Sequence, residues 1–339
     1  MNSATSVSAG EAHATARPLQ LQVSRSAEEA LSRTGRTEDI RFSPDNRRLA
    51  LAGFAADCCL VFDVSIDVSA ALPVVRITDH IEIRSPQLRE PHGFDFIGND
   101  RLVVANRVGA IEIFQLPPGH CGGRTFDLQP VRSIRRANLL RRLRNPGSVC
   151  VAGNSDGRVE LLACDNYKRR VTRHVLDLNN RLGRADNRIL LRNRLDIPDG
   201  IALSDDRRWL AVSNHNTSSV LIFDRHGPLN PASAPAGELT GVMFPHGLRF
   251  SPDGRRLYVA DAGAPRVCLF TSDDATWSGR RAAVRSVGVM DQETFLRGHC
   301  NRAEGGPKGL DIDASGSLLA VTCEHMPLAM FPVSGIFAA

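Results

Sequence analysis

The sequence predicts an all-β fold, a six-bladed β-propeller, from three observations. A frame of short apolar strands recurs through the 339 residues, and its clearest copies are residues 197–224 and 244–270. A turn such as Ser251-Pro-Asp-Gly254 separates the first strand of a copy from the second. One position of the second strand recurs every 47 to 62 residues, a spacing that holds four strands and a loop. The residues at this position are Leu49, Leu102, Cys150, Leu210, Leu257 and Leu319.

The strands within one copy follow from its local pattern. In the copy at residues 244–270, the first strand alternates apolar side chains at Leu248 and Phe250, and the second is an apolar run that begins at Leu257. The turn between them predicts a hairpin, because Pro fixes φ, Asp caps the turn and Gly accepts positive φ. The third strand ends in the aromatic Phe270. The third copy is degenerate, and we align residues 149–154 with its second strand.

The two ends of the chain bear on how the ring closes. The sixth copy ends at Val333, which leaves no room for its outer strand, whereas an alternating segment at residues 18–24 precedes the first copy. We therefore expect this N-terminal strand to complete the last blade. Residues 1–17 are predicted to be a disordered leader without the apolar region of a secretory signal, and residues 18–339 a single propeller domain. The rival fold, a seven-bladed WD-type propeller, lacks its Trp-Asp dipeptide.

The amino-acid composition indicates which kinds of partner the protein binds. Apolar residues make up 42% and no run is long enough for a spanning helix, so we expect a cytoplasmic protein with no membrane partner. Eight cysteines form no C-x-x-C pair and are expected to be reduced. The net charge of +5 rests almost entirely on arginine, with Lys168 and Lys308 the only lysines, and it is spread along the chain. With only 5% aromatic residues, this pattern argues against a nucleic-acid partner and favours a small-molecule substrate. A monomer or small homo-oligomer is expected.

Polar side chains recur where the chain enters and leaves the channel. Antiparallel pairing brings the start of strand one and the end of strand two to the same channel mouth. The first position holds Glu38, His92, Asp199, His246 and Lys308, with Asn138 as the candidate in the third blade. The second position holds Asn106, Asn154, Asn214 and Asp261, which we expect to bind substrate. Each residue alone has an ordinary structural explanation as a turn or channel residue, but together they predict a metal or catalytic site.

The frames Pro91-His92-Gly93, Pro198-Asp199-Gly200 and residues 245–254 resemble those of the lactonase-like and gluconolactonase-like (SMP-30) six-bladed propellers. They are also similar to NHL and YVTN repeats. The gluconolactonase-like resemblance implies a divalent cation, commonly calcium, and Glu38, Asp199 and Asn138 are the residues assigned to it. His92 and His246 depart from that pattern, because histidine suits a softer metal or a general base.

Three functions are consistent with this pattern. The first is a metal-assisted hydrolase of a small lactone or ester, in which His92 or His246 takes a proton and Lys308 stabilises the oxyanion. The second is a metal-free lyase or isomerase that uses the two histidines. The third is a non-catalytic binding scaffold of the NHL or YVTN kind.

Overall fold

The first strands of six sheets surround a central channel. The computed structural model describes residues 15–69, 72–180, 183–299 and 304–337. Within these ranges each sheet orders its main strands from the channel outward along the chain, and each first strand contacts the first strand of the next sheet. The first strand of the sixth sheet contacts that of the first sheet, which closes the ring. The predicted all-β six-bladed propeller is confirmed.

The N-terminal half of the chain builds three blades. The chain enters through β1 (Gln22–Val23) and α1 (Arg25–Thr34). Blade 1 contains β2 (Thr37–Phe42), β3 (Arg48–Gly53), β4 (Cys58–Asp67) and β5 (Val74–Arg84). Blade 2 contains β6 (Pro91–Ile97), β7 (Arg101–Asn106), β8 (Ile111–Gln115) and, after the short β9 (Thr125–Asp127) that pairs in parallel with β5, β10 (Arg132–Ile134). Blade 3 contains β11 (Pro146–Ser155), β12 (Arg158–Asp165), β13 (Arg170–Asp177) and β14 (Asp186–Leu191).

The C-terminal half builds the other three blades. Blade 4 contains β15 (Pro198–Leu203), β16 (Trp209–Asn214), β17 (Ser219–Asp224) and β18 (Gly237–Thr240). Blade 5 contains β19 (Pro245–Phe250), β20 (Arg256–Asp261), β21 (Arg266–Thr271) and, after β22 (Gly279–Ala282) that pairs in parallel with β18, β23 (Arg285–Gly288). The helix α2 (Gln292–Arg297) leads to blade 6, which contains β24 (Gly309–Ile312), β25 (Leu318–Thr322) and β26 (Ala329–Pro332), followed by α3 (Val333–Ile336).

Apolar clusters fill the spaces between neighbouring blades. The cluster between blades 6 and 1, for example, joins Ile40 and Leu51 to Leu318 and Met330. The other five blade pairs have equivalent clusters. Burial of this apolar surface holds the ring together, because in the described ranges the main strands of successive blades belong to separate sheets.

The hairpin turns adopt the predicted conformation. Gly254, the last residue of the Ser-Pro-Asp-Gly turn, has a φ of 68°. The equivalent turns of blades 1, 4 and 6 place Asn46, Arg207 and Gly316 at φ values of 56°, 60° and 73°. These turns lie at the end of the channel opposite the mouth, because each follows the first strand of its blade.

The N-terminal strand pairs differently from its prediction. Residues 18–24 were expected to form the fourth strand of blade 6, but β1 pairs in parallel with β5 of blade 1. In the described residues, the segment at residues 18–24 makes only one backbone hydrogen bond to β26 of blade 6, from Leu19 N to Met330 O at 2.8 Å. The physical reason is that α1 begins directly after the segment and packs Ala27 and Ala30 into the cluster between blades 6 and 1. The segment therefore covers that seam, and blade 6 has three strands within the described ranges.

Three further expectations from the sequence concern the N-terminal leader, a membrane-spanning helix and the cysteines. Of the predicted leader, residues 1–14 lie outside the described residues, and Thr15 bridges to Gly288 of blade 5. None of the helices in the described ranges is long and apolar enough to cross a membrane. The seven cysteines in those ranges are free thiols, and all except Cys121 are buried.

Candidate functional site

Each blade presents one residue at the start of its inner strand. These residues are Glu38, His92, Gly147, Asp199, His246 and Lys308, in blade order. The glycine that follows in most blades lets neighbouring inner strands touch: a Cβ on Gly93 would lie 2.6 Å from Gly147 O, and one on Gly247 would lie 2.6 Å from Lys308 O. In these blades a side chain therefore has room only at the preceding position, where it points into the channel mouth.

Four of these side chains form one buried cluster. Glu38 Oε2 lies 3.5 Å from His92 Nε2 and 3.5 Å from His246 Nε2. His246 Nε2 lies 3.1 Å from Asp199 Oδ2, and the two imidazole rings stack with centroids 5.1 Å apart. All four residues are at most 4% exposed. The structure thus brings together the predicted ring residues of blades 1, 2, 4 and 5.

Cations surround the other oxygen of Glu38. Lys308 Nζ lies 3.2 Å from Glu38 Oε1 and 2.8 Å from Glu304 Oε2, and Arg36 also pairs with Glu38 Oε1. Burial raises the pKa of Glu38, but Lys308 and the other neighbouring cations outweigh it and hold that pKa well below its usual range. Burial lowers the pKa of Lys308, whereas Glu38 and Glu304 raise it to a net value above the usual one. Both groups are charged at neutral pH.

The hydrogen bond of His92 sets its tautomer. His92 Nδ1 lies 2.7 Å from Gly147 O, and a carbonyl oxygen can only accept, so Nδ1 carries a proton. Burial and Arg107 lower the pKa of His92 to about 3, which leaves a neutral ring with a lone pair on Nε2. Both Nε2 and the facing Glu38 Oε2 are buried without a hydrogen-bond partner among the described residues. Two acceptors therefore face each other with no donor between them.

This arrangement fits a small cation. Glu38, His92 and His246 offer one ligand atom each, and the three atoms lie within 4.8 Å of one another. The cavity that they border has a volume of about 10 Å³, which is enough for one water molecule or one small ion. Asp199 adds a further carboxylate: Asn166 donates to its Oδ1 at 2.8 Å, and burial, which raises its pKa, is outweighed by His246 and His92, which lower it.

In the third blade, the two residues predicted to lie at the channel mouth, Asn138 and Asn154, lie elsewhere. Asn138 lies in the connection between β10 and β11, where its Oδ1 accepts hydrogen bonds from Leu140 N and Arg141 N. Asn154 is exposed near the end of β11 that is remote from the mouth. The alignment of this blade was displaced by one strand, because residues 149–154 belong to the first strand and not to the second. The residue at the mouth is Gly147, which offers only its backbone carbonyl.

The predicted second ring has a repeated role in the fold. Asn106 Oδ1 accepts from Arg89 N at 3.0 Å, Asn214 Oδ1 from Asp196 N at 2.6 Å, and Asp261 Oδ1 from Met243 N at 3.0 Å. In blade 3 Asp165, which the sequence prediction missed, accepts from Arg144 N in the same way. Each side chain thus fixes the loop that enters its own blade. Substrate binding by Asn106, Asn214 and Asp261 stays a prediction, although their carboxylate or amide groups are already engaged.

A second polar layer, also missed from the sequence, fills the channel below the mouth. Asp311 Oδ1 accepts from Arg249 at 2.8 Å, and its Oδ2 accepts from Phe42 N of the next blade at 2.7 Å. Asp95 similarly accepts from Val151 N of blade 3. Burial raises the pKa values of Asp95 and Asp311 to about 6. These buried, hydrogen-bonded side chains therefore form a polar layer below the cluster, on the side away from the mouth.

Three other groups border the cluster on the mouth side. His215 Nε2 lies 3.4 Å from Glu304 Oε1, and its Nδ1 is buried without a hydrogen-bond partner in the described structure. Arg107 likewise has a buried, unpartnered Nη1. Phe54 packs edge-on against His92 with centroids 6.2 Å apart. The sequence signal for His215 and Arg107 was their position, since each directly follows a second-ring asparagine.

Comparison with known proteins identifies the fold only. No protein-family model matches the chain, and no curated protein sequence matches it. The chain is similar to the crystal structure of a functionally unknown protein from Desulfotomaculum acetoxidans DSM 771, with 14% sequence identity and a TM-score of 0.51 over 88% of this chain and 83% of that one. It is also similar to a protein from Bacteroides fragilis NCTC 9343 described as a "putative 6-phosphogluconolactonase", with 16% identity and a TM-score of 0.51 over 87% of this chain and 79% of that one.

Proposed function

We propose that the mouth cluster binds one divalent transition-metal ion and that the protein is a metal-assisted hydrolase of a small lactone or ester. The observation that carries the proposal is the unpartnered pair of buried acceptors, Glu38 Oε2 and His92 Nε2, with His246 Nε2 beside them. Leaving two buried acceptors unsatisfied costs about 1–3 kcal/mol each. A cation between them would remove that cost.

The donor set favours a transition metal over calcium. Calcium takes six to eight oxygen ligands, whereas two imidazole nitrogens with carboxylate oxygens suit zinc, manganese, iron or nickel. His246 Nε2 lies 3.1 Å from Asp199 Oδ2, so a metal bound to His246 would replace this contact and bring Asp199 in as a further oxygen ligand. The histidines are thereby assigned to metal binding and not to proton transfer.

A bound divalent ion supplies Lewis-acid polarisation of a substrate carbonyl. His215 is the residue assigned to proton transfer as a general base. The carboxylate of Glu304, next to Nε2, would hold its ring in a fixed orientation. Lys308 donates to Glu38 and Glu304 and retains one N–H for a developing oxyanion. The unpartnered Nη1 of Arg107 favours a substrate that carries an anionic group. The name of the Bacteroides fragilis protein supports a lactone as the substrate class.

The burial of the cluster favours a second candidate. Because its residues are at most 4% exposed and the cavity has room for no more than a single small ion, the metal could instead be structural in a non-catalytic scaffold. Both functions predict metal binding, and only the hydrolase predicts turnover. A metal-free lyase that uses the two histidines predicts turnover that survives metal removal.

One experiment separates these functions. Protein purified without chelators and without a histidine tag is analysed for bound metals, and lactone and ester hydrolysis is followed by proton release before and after chelation. The hydrolase predicts about one metal per chain and turnover that is lost on chelation and restored by the metal. Glu38→Gln and His92→Ala should lose the metal, whereas the matched control Asn154→Ala, which is remote from the mouth, should keep it. Protein that takes up no metal from any of the four transition ions contradicts the proposal.

A further inference from the structure

A hairpin between blades 2 and 3 exposes two leucines. Ala137 and Leu143 at its base are buried in the apolar cluster between the two blades. At its tip Leu139 is 85% exposed and Leu140 is 91% exposed, the highest values among the large apolar side chains of the described residues. Exposing such side chains to water is unfavourable, so a tip of this kind indicates a contact surface.

The tip is held in place by its own hydrogen bonds. Asn138 Oδ1 accepts from Leu140 N at 3.0 Å and from Arg141 N at 2.7 Å. Arg136 Nη1 donates to Leu139 O at 2.9 Å, and Arg136 and Arg142 form a β-bridge below the turn. The leucines are therefore presented to solvent by an ordered turn. They do not project from a chain that lacks local structure.

Basic side chains surround the leucines. Residues 135–144 contain five arginines and no acidic residue. The neighbouring loop adds exposed Tyr167 and Lys168, and Tyr167 is linked to the hairpin through Arg107, whose guanidinium lies 5.6 Å from the Tyr167 ring and whose backbone O accepts from Asn145. We call Leu139, Leu140, Tyr167, Arg136, Arg141 and Arg142 the docking patch.

Exposed apolar residues are concentrated on the face of the propeller that contains the channel mouth. The connections that end at the channel mouth carry six of the nine exposed large apolar side chains in the described residues. The six are Val108, Leu139, Leu140, Tyr167, Met243 and Leu296. The docking patch thus carries three of these six side chains, Leu139, Leu140 and Tyr167.

We propose that the docking patch binds the surface of an anionic phospholipid bilayer. Its two kinds of group suit the two parts of such a surface: the highly exposed leucines would enter the acyl region, and the arginines beside them would contact the phosphates. Tyr167, with an apolar ring and a polar hydroxyl, suits the interface between them. Such peripheral binding needs no spanning helix. It departs from the sequence expectation that no membrane is a partner.

Nucleic acid and an acidic protein are the competing occupants. Phosphates of a nucleic acid would use the arginines but would leave both leucines in water. An acidic protein would need a pocket for the leucines, and it would bind in the absence of lipid. The combination of two exposed leucines with arginines beside them favours the bilayer.

Vesicle binding tests the proposal. The full-length protein is sedimented with vesicles of phosphatidylcholine alone and with vesicles of phosphatidylcholine and phosphatidylglycerol in equal amounts. We expect binding to the anionic vesicles only, weakened at high salt because screening acts on the arginines. Arg141→Glu/Arg142→Glu and Leu139→Ser/Leu140→Ser should each lower the partition coefficient by about tenfold or more. The control pair Arg47→Glu/Arg255→Glu, exposed at the opposite end of the channel, should bind as the wild type.

Insertion of the tip has a separate readout. Both native tryptophans, Trp209 and Trp277, are at most 1% exposed, so bromine-labelled phospholipids should not quench them. Leu140→Trp should be quenched by such lipids in anionic vesicles, whereas Leu296→Trp, on α2 of the same face, should be quenched less. The proposal is overturned if the wild type does not bind anionic vesicles, if the control pair loses binding equally, or if the protein binds single-stranded RNA through Arg141 and Arg142 and does not bind vesicles.

Discussion

Glu38 and His92 face each other across the channel mouth with two hydrogen-bond acceptors, and the part of the chain that the structure describes places no donor between them. Glu38 Oε2 lies 3.5 Å from His92 Nε2, and the other ring nitrogen of His92 is engaged by Gly147 O at 2.7 Å. The carbonyl belongs to a glycine: a side chain at position 147 would meet the amide of Asn166, which donates to Asp199 and would have to shift. The blade that contributes no side chain to the cluster thus determines which nitrogen of His92 is available.

The facing acceptors predict stabilisation by metal. At about a hundredfold excess over its dissociation constant, an ion that binds only the folded protein adds about 3 kcal/mol of stability, which corresponds to a rise in Tm of about 5 °C. Differential scanning fluorimetry with zinc, manganese, nickel and calcium measures the shift. We expect a rise with at least one transition metal and a smaller rise with calcium. Glu38→Gln should abolish the rise, and an equal rise in Glu38→Gln would place the bound metal elsewhere.

The close contact of inner strands predicts a large effect at Gly247. A Cβ there would lie 2.6 Å from the backbone oxygen of Lys308, so the two strands would have to separate. We expect Gly247→Ala to lower the free energy of unfolding by about 1–3 kcal/mol in urea titrations. Gly227→Ala is the control, because a Cβ at Gly227 meets nothing within 4 Å. Equal stabilities of the two variants would show that the strands yield without cost.

A buried histidine away from the mouth predicts a pH dependence of stability. His174 is fully buried, with Nδ1 2.8 Å from Asn187 Oδ1 and Nε2 2.8 Å from Thr172 Oγ1, and burial lowers its pKa from 6.5 to about 4. Because the unfolded chain binds the proton more readily, this residue's contribution is complete above pH 6.5 and is lost as the pH falls toward 4. The loss is about 3 kcal/mol.

The comparison of two histidine variants isolates this contribution. Urea titrations between pH 4 and 7 should show a shallower pH dependence for His174→Gln than for the wild type. His226→Gln, which alters an exposed histidine, should retain the slope of the wild type. If His174→Gln keeps the full slope, the dependence arises from other groups.

The sequence predicted most of the fold because the repeat carries its own turn signals. The turn at Gly254 and the mouth positions of five blades were located by local pattern alone. The prediction failed in the third blade for two physical reasons. The residue at the mouth, Gly147, has no side chain to detect. The first strand of this blade, β11, is ten residues long, whereas the first strand of most other blades has six. The N-terminal strand was misassigned because its partner depends on the packing of α1, which strand alternation does not encode.

The mouth cluster was predictable in its members but not in its chemistry. Position along the blades identified Glu38, His92, Asp199, His246 and Lys308. The tautomer of His92 depends on a backbone carbonyl, which has no sequence signature. Glu304 and Arg36 approach from connections whose course the repeat does not specify, so the contacts of these two residues with Lys308 and Glu38 emerged only from the structure.

Lys308 provides the last prediction, because it is one of only two lysines in the chain and is 1% exposed between Glu38 and Glu304. Removing its charge in Lys308→Met would leave Glu38 with Arg36 as its remaining cation and should cost about 3–5 kcal/mol in the free energy of unfolding. Lys168→Met, at the exposed lysine, should change it by less than about 0.5 kcal/mol. Lys308→Arg keeps the charge but brings a planar guanidinium to a place fitted for a compact ammonium. We expect this variant to retain most of the stability that Lys308→Met loses, while its metal affinity and its turnover of a lactone substrate fall by about tenfold or more. If Lys308→Arg matches the wild type in stability, metal affinity and turnover, Lys308 supplies only a positive charge, and the oxyanion contact assigned to its third N–H is wrong.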